Sequence, residues 1–253
     1  MKNIAITGAN SGIGKQLALD FAKHSCENTT LFLAGRNVER LENVAKEVES
    51  YNAVAQISAF DVTNLASCKE WCEEIFASRL DLLIINAGIS IGNDESALHH
   101  IKVAQTNTMG VANLVFFALE MMKKQDFKGR FRGHIVLVAS VASLLAMPNA
   151  PSYSASKNFV RILGEALSLS NSDICITTIC PGFIETPLVQ HLQGKVPMMN
   201  VKVASNKIIK AIQKQKNLSI FPSYFGWLVR FYNILPFVIK RYFLWIFKYF
   251  GKL

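Results

Sequence analysis

Tyr153 and Lys157 stand four residues apart in the stretch YSASK, so a helix there would set them one turn apart on one face. A free phenol, with a pKa of about 10, is a poor acid or base near neutrality. An adjacent ammonium favours the phenolate and brings that value toward the working range. Ser140 closes the apolar run GHIVLVAS thirteen residues earlier. A hydroxyl at a strand end can donate to a substrate oxygen. Alone the pair means little, because chance supplies many Tyr-x-x-x-Lys spacings; it gains weight from a second cluster near the N-terminus.

That cluster is TGANSGIG, residues 7–14, which follows a short apolar run and opens a helix-like stretch. A dinucleotide phosphate needs backbone N–H donors at such a junction. Gly8, Gly12 and Gly14 are spaced G-x-x-x-G-x-G, and Asn10 and Ser11 add side-chain donors. The second apolar run ends LAGRN. Gly35 takes the position where an acid would hold the ribose 2′-OH of NAD, and Arg36 follows, suited to the 2′-phosphate of NADP. NADPH (NADP) is therefore expected over NADH.

The elements that must carry these residues alternate. Strands are predicted at 3–8, 29–35, 53–62, 80–88, 133–140, 173–182 and near 217–222. Helices are predicted at 12–24, 37–50, 64–78, 95–125 as one long element, 152–170 and 201–216. Residues 187–200 read as a loop or short helices. Such β-α repetition implies an α/β fold, a doubly wound Rossmann-type parallel sheet with helices on both faces. No linker or repeat divides it, so residues 1–222 are expected to form one catalytic domain, followed by a C-terminal extension at 223–253.

The net charge of +9 is uneven. Residues 1–185 carry 16 Lys/Arg against 18 Asp/Glu, whereas after Glu185 there are 11 Lys/Arg and no acid. The basic quarter suggests an anionic partner. Nucleic acid is not expected, since these cations accompany apolar bulk. Cys26, Cys68, Cys72, Cys175 and Cys180 lack zinc-like spacing and read as packed, reduced thiols. His99 and His100 read as solvated, His134 as part of a basic solvated turn, and no metal site is expected. The N-terminus enters a strand at once, which points to a cytoplasmic protein.

Taken together, TGANSGIG, Asp61-Val62, NAG at 86–88, Asn107, Ser140, YSASK and PGFIET at 181–186 resemble the short-chain dehydrogenase/reductase family in order and spacing over about residues 1–190. The resemblance implies an oxidoreductase interconverting carbonyl and alcohol. Gly8, Ser11, Ile13 and Gly14 would line the pyrophosphate and adenosine ribose, with Asn10 and Gly12 in the same loop and Arg36 at the 2′ position. Asp61 and Val62 would meet the adenine. Asn86, Ala87 and Gly88 would flank the ribose, and Ile184 and Thr186, in the segment opened by Pro181 and Gly182, would hold the nicotinamide carboxamide. Tyr153 would be the general acid in reduction, and Lys157 would lower its pKa and bind the nicotinamide ribose. Ser140 would orient the carbonyl, and Asn107 would hold a proton-relay water. A homo-oligomer, dimer or tetramer, is also implied. Ile85 stands where Asn or Ala is common in the family, at a mainly structural position.

The last 31 residues, SYFGWLVRFYNILPFVIKRYFLWIFKYFGKL, exceed what such a core needs. Charges and Pro236 interrupt every stretch long enough to span a bilayer. Helical phase puts Arg230, Arg241, Lys248 and Lys252 near one edge with Lys240 beside them, leaving an aromatic apolar face. A peripheral position on an anionic membrane surface is the first expectation; packing on another subunit and a single span are the alternatives. The overall expectation is an NADPH-dependent reductase of a hydrophobic, lipid-like carbonyl substrate. A 3-oxoacyl-carrier-protein reductase is the enzyme alternative, and a dinucleotide-sensing membrane scaffold the non-enzyme one.

Overall fold

The computed structural model describes residues 2–24 and 29–241. Seven strands form one parallel sheet: β1 (Asn3–Thr7), β2 (Thr30–Gly35), β3 (Val54–Ala59), β4 (Leu82–Ile85), β5 (His134–Val138), β6 (Cys175–Pro181) and β7 (Leu218–Phe221). Their spatial order is β3-β2-β1-β4-β5-β6-β7. The order reverses between β1 and β4, and a cleft opens there beyond the carboxyl ends of the strands. Central strands such as LLII of β4 and HIVLV of β5 are buried along their whole length, as continuous apolar runs require when helices cover both faces. Edge strand β3, VAQISA, is largely exposed.

The helices are α1 (Gly12–Lys23), α2 (Val38–Glu49), α3 (Leu65–Ile75), α4 (Ala97–Ala104), α5 (Gly110–Met122), α6 (Pro151–Ser170), α7 (Val201–Gln213) and α8 (Ser223–Ile234). One core joins α1, α2 and α7 to the sheet through Leu17, Leu41 and Ile208. The opposite core joins α3, α5 and α6 through Trp71, Leu114 and Val160. Asn37, Asn64, Ser96 and Asn200 cap α2, α3, α4 and α7 with side-chain oxygens that accept from first-turn N–H groups. At Gly164 of α6 a Cβ would lie 2.0 Å from Thr178 Oγ1 on β6. Only glycine lets α6 come this close, and α6 is the helix that carries Tyr153 and Lys157.

The structure corrects three expectations. The helix expected over 95–125 is divided: a π-helical turn, Gln105–Met109, separates α4 from α5. His134 is not in a solvated turn. It starts β5, is 5% exposed, and its Nε2 lies 2.8 Å from Thr177 Oγ1. His99 and His100 are half-buried rather than solvated, with contacts to the Ser90 carbonyl and the Ser152 hydroxyl at 2.9 and 2.8 Å. Cys68, Cys72, Cys175 and Cys180 are buried free thiols, while Cys26 lies outside the described residues.

Beyond β7, α8 ends before Pro236 and helical backbone resumes at 237–241. Val229 of α8 is buried, whereas Phe231, Ile234, Phe237 and Val238 are exposed. The helical phase expected past residue 241 falls outside the described residues. Among the described residues no helix is long and apolar enough to cross a membrane.

Burial pushes His134 from 6.5 down to about 4, because the buried ring is stable only when neutral. Between those values the unfolded chain binds a proton that the folded protein does not. Stability is therefore expected to fall as pH drops from 6.5 through 4. Urea unfolding over that window checks this: His134→Gln should show a shallower loss than the parent, and identical slopes would contradict the assignment.

Candidate active site

Thr7 ends β1 and is fully buried. Its Oγ1 accepts from the backbone N–H groups of Asn86 and Ala87, at 3.0 and 3.1 Å, just past β4. The Asn86 amide donates back to the Thr7 carbonyl at 3.1 Å and, more weakly, to the Gly8 carbonyl at 3.4 Å. These bonds join the glycine loop to the NAG segment across the point where the strand order reverses. Asn86 thus spends its side-chain donors on the loop, and Thr7 is a site residue that the motif reading passed over although it directly precedes Gly8.

The loop then turns into α1 through Gly8 and Gly12, with φ of +66° and +55°. A Cβ on Gly14 would lie 2.3 Å from the Gly8 carbonyl oxygen, so Gly14 lets α1 begin against the turn. The Ser11 side chain makes no capping hydrogen bond, which leaves the first N–H groups of α1 facing the cleft without that competitor. Gly8, Asn10, Ser11, Gly12, Ile13, Asn86, Ala87, Gly88 and Thr186 share one cavity of about 300 Å³. The arrangement suits an extended phosphate-bearing ligand: bare backbone donors where anions would sit, and no Cβ to block them.

An adjoining cavity of about 200 Å³ runs from this loop to Gly35, Arg36, Asp61 and Val62. At Gly35 a Cβ would come within 3.2 Å of Asn10 Cγ, so the Asn10 side chain fills the space a larger residue would need. Arg36 Nη1 lies 3.9 Å from Asp61 Oδ2, both groups being half exposed. Partial burial raises the Asp61 pKa, but hydrogen bonds from the Thr63 N–H and hydroxyl, then the Arg36 and Lys102 charges, hold it below the usual carboxylate range. Arg40 and Thr106 line the same cavity and were not singled out from sequence. Arg40 sits in the first turn of α2, where an arginine looks like any solvated helix residue.

At the other end, α6 brings Tyr153 and Lys157 under the end of β5. Lys157 is 4% exposed; its Nζ donates to the Val138 carbonyl at 3.0 Å and lies 6.0 Å from the Tyr153 ring centre. Burial pushes its ammonium down to about 8. Burial also pushes the Tyr153 phenol above its ordinary value, with a hydrogen bond from Ser140 pulling the other way. Ser140 is buried and its Oγ accepts from the Ala142 N–H at 3.1 Å, while its own proton serves the bond to Tyr153.

Asn107 lies in the π-helical turn, fully buried. Its amide grips the backbone of Ile89 from both sides, accepting from the N–H and donating to the carbonyl at 2.9 Å each, and donates to Ser156 Oγ at 3.1 Å. Ser156, inside YSASK, is a further partner that sequence alone did not mark. A Cβ on Gly88 would meet Asn107 Oδ1 at 3.0 Å and Lys157 Nζ at 3.2 Å, so glycine keeps this junction open. Two of the four residues read as catalytic, Asn107 and Lys157, therefore stand against Gly88 of the glycine-loop cavity, with Tyr153 beside Lys157 and Ser140 bonded to Tyr153.

Pro181, Gly182 and Ile184 do not line that cavity. Pro181 closes β6, Gly182 donates its N–H to the Phe221 carbonyl, and Ile184 is buried opposite Met199. They shape the segment that sets Thr186 against Gly12. The segment is tied down further on, where Ser90 Oγ donates to the Leu188 carbonyl at 2.8 Å. Among the described residues no cluster of His, Cys, Asp and Glu could hold a metal ion.

A doubly wound parallel sheet with a phosphate-type glycine loop and a Tyr/Lys/Ser group at its switch point defines a Rossmann-type oxidoreductase. The profile described as "short chain dehydrogenase" matches residues 2–196, and the chain belongs to that family, whose members act on CH–OH and C=O groups. It is 30% identical over 254 aligned positions to 11-beta-hydroxysteroid dehydrogenase-like 2 of Arabidopsis thaliana, covering 94% of this chain and 79% of the relative. It is 32% identical over 200 positions to the 3-oxoacyl-[acyl-carrier-protein] reductase FabG of Thermotoga maritima, covering 75% and 77%. Among solved structures it resembles a short-chain dehydrogenase from Sphingobium yanoikuyae in complex with NADPH (TM-score 0.77, 23% identity, 88% and 89% covered). A Burkholderia phymatum member in complex with NAD is equally similar (TM-score 0.78, 23% identity, 90% and 92% covered).

Thr7→Val keeps the volume but strands the N–H groups of half-buried Asn86 and Ala87, so a loss of about 1–3 kcal/mol is expected in urea unfolding, with Thr7→Ser near the parent. Equal stability of all three proteins would remove the bond across the switch point from the account.

Proposed function

We propose that the protein is an NADPH-dependent carbonyl reductase acting on a hydrophobic substrate, with residues 1–222 as the catalytic domain and 223–253 as an extension that rests on a lipid surface. The observation that carries the reaction is a chain of neighbours: Asn107 and Lys157 stand against Gly88 of the glycine-loop cavity, the Tyr153 ring lies 6.0 Å from Lys157 Nζ, and Ser140 bonds to Tyr153. A nicotinamide dinucleotide, when bound, supplies the hydride.

The chain's own residues do the rest. Backbone N–H groups of the loop from Gly8 to Gly14, with Asn10 and Ser11, hold the phosphates; Asp61, Val62 and Ala87 wall the adenosine end; Thr186 closes over the nicotinamide side, its segment seated by buried Ile184. The Ser140 hydroxyl, which bonds to Tyr153, turns its proton to the substrate oxygen and fixes its place. Tyr153 gives that oxygen its proton, a role suited to a phenol that burial keeps protonated. One Lys157 N–H is committed to Val138; the others can reach a ribose hydroxyl beside Gly88 and favour the phenolate as the proton leaves. Asn107 holds Ile89 and Ser156 fixed, and its turn is where a relay water would dock.

NADPH is favoured by charge. Two guanidinium groups, Arg36 and Arg40, border the adenosine cavity, and Gly35 brings no carboxylate to repel a 2′-phosphate. One titration series tests both parts. Tyr153→Phe should lose at least about a hundredfold in kcat for NADPH oxidation by a ketone while binding NADPH like the parent. Arg36→Ala should weaken NADPH binding about tenfold or more and leave NADH binding nearly unchanged, as expected for loss of a charged hydrogen bond. Full activity of Tyr153→Phe would remove it as the proton donor, and no NADPH oxidation by any ketone in the parent would leave the scaffold reading.

Lipid association is supported by exposed Phe231, Ile234, Phe237 and Val238 and by a chain that carries cations but no acid after Glu185. The full-length protein should co-sediment with phosphatidylglycerol vesicles more than with phosphatidylcholine vesicles and be released by salt. Equal recovery in the supernatant under all conditions would sink this. The likeness to FabG favours a second reading, an acyl-carrier substrate docked on the lysines of α7. It predicts that Lys202→Glu with Lys210→Glu impairs turnover of a carrier-linked ketone but not of a free one.

A further inference from the structure

We propose that Asn158 and Cys180 are positioning residues that hold the turn opened by Ser140, and with it the hydroxyl that meets the substrate oxygen and Tyr153. The proposal rests on the carbonyl-reductase reading, which gives Ser140 its task, and names what keeps that serine in place. Asn158 directly follows YSASK and Cys180 directly precedes PGFIET, so both adjoin the motifs without belonging to them.

Ser140 caps a short 3-10 turn, Val141–Leu144, where the chain leaves the sheet. Such turns have poor hydrogen-bond geometry and little stability of their own. Inside it the Ser143 N–H donates to the Ser140 carbonyl at 2.9 Å, and the Ala142 N–H to Ser140 Oγ at 3.1 Å. Those bonds shape the turn but do not fasten it to the rest of the site. Two neighbours do. From α6, Asn158 Nδ2 donates to the Ser143 carbonyl at 2.7 Å. From β6, the sulfur of fully buried Cys180 accepts from the Ser140 N–H and lies 3.6 Å from Ser143 Oγ. Ser143 is also fully buried, so its polar atoms depend on these partners rather than on water.

Successive residues of α6 thus grip the chain on both sides of Ser140. Lys157 Nζ holds the Val138 carbonyl, two residues before it, at 3.0 Å, and Asn158 holds the Ser143 carbonyl, three residues after it. Tyr153 stands on the same helix, so serine and phenol are referred to one rigid element. The two grips differ in kind. Lys157 has a ribose hydroxyl and the phenolate to serve during turnover, whereas Asn158 is neutral and can keep its bond through every step.

The test is a double-mutant cycle on the full chain. Asn158 is exposed on α6, so Asn158→Leu should melt near the parent. It should lower kcat for reduction of cyclohexanone by NADPH about three- to tenfold, the span of one net hydrogen bond, with the NADPH dissociation constant unchanged. Asn158→Gln, which keeps a donor, should recover most of that loss, and Cys180→Ala should lose about as much as Asn158→Leu. On a Ser140→Ala background Asn158→Leu should cost less than about twofold, because it acts through the serine. A second readout needs no turnover. Amide exchange of Ala142 and Ser143, followed by NMR, should quicken about three- to tenfold in Asn158→Leu, while Leu137 in β5 exchanges as in the parent. Unchanged exchange at Ala142 and Ser143, or the full loss repeated on Ser140→Ala, overturns the proposal. Exchange as predicted in a protein that reduces no ketone would count against the reductase reading alone.

Discussion

Everything at this site depends on how closely β1 and β4 are held where the strand order reverses. A parallel sheet leaves two loops diverging there, and without a bond across the gap the glycine turn and the NAG segment would be free to separate. The buried hydroxyl of Thr7 accepts from both N–H groups on the far side, and the Asn86 amide returns the bond. Gly8 and Gly14 then have no room to carry side chains, because the chain passes so near itself. A cleft of fixed width, floored by backbone donors, is the result.

The second constraint is burial. Lys157, Asn107 and Ser140 are buried, and Tyr153 half-buried. In such surroundings each polar group needs a partner, which explains why Lys157 bonds to Val138 and Asn107 grips Ile89. The same burial keeps the phenol protonated and makes the ammonium easier to discharge. Those directions suit proton donation to a substrate oxygen. The close seat of α6, allowed by Gly164 against Thr178, is what takes these groups into the interior.

Much of this was legible in the sequence because it is local. Apolar runs such as LLII of β4 and HIVLV of β5, the turn glycines and the one-turn spacing of Tyr153 and Lys157 all act over a few residues, and all recur in the structure. What escaped depends on distant partners. Nothing in QTNTM announces a π-helical turn, since its neighbours continue a helix on either side. The basic stretch before His134 disguised a ring that Thr177, 43 residues away, receives in the interior. Arg40 carried no motif. The extension looked like a separate surface, yet Asn233 ties it to Leu144, 89 residues earlier.

The central claim is that a hydride passes to a substrate carbon while Tyr153 supplies the proton to its oxygen. The most direct measurement reduces a ketone with NADPH deuterated at both C4 positions of the nicotinamide, in ordinary water, and reads the alcohol by mass spectrometry and NMR. The account predicts one deuterium on the carbinol carbon in every product molecule. An alcohol without deuterium at that carbon, or no alcohol from any ketone offered, would contradict it.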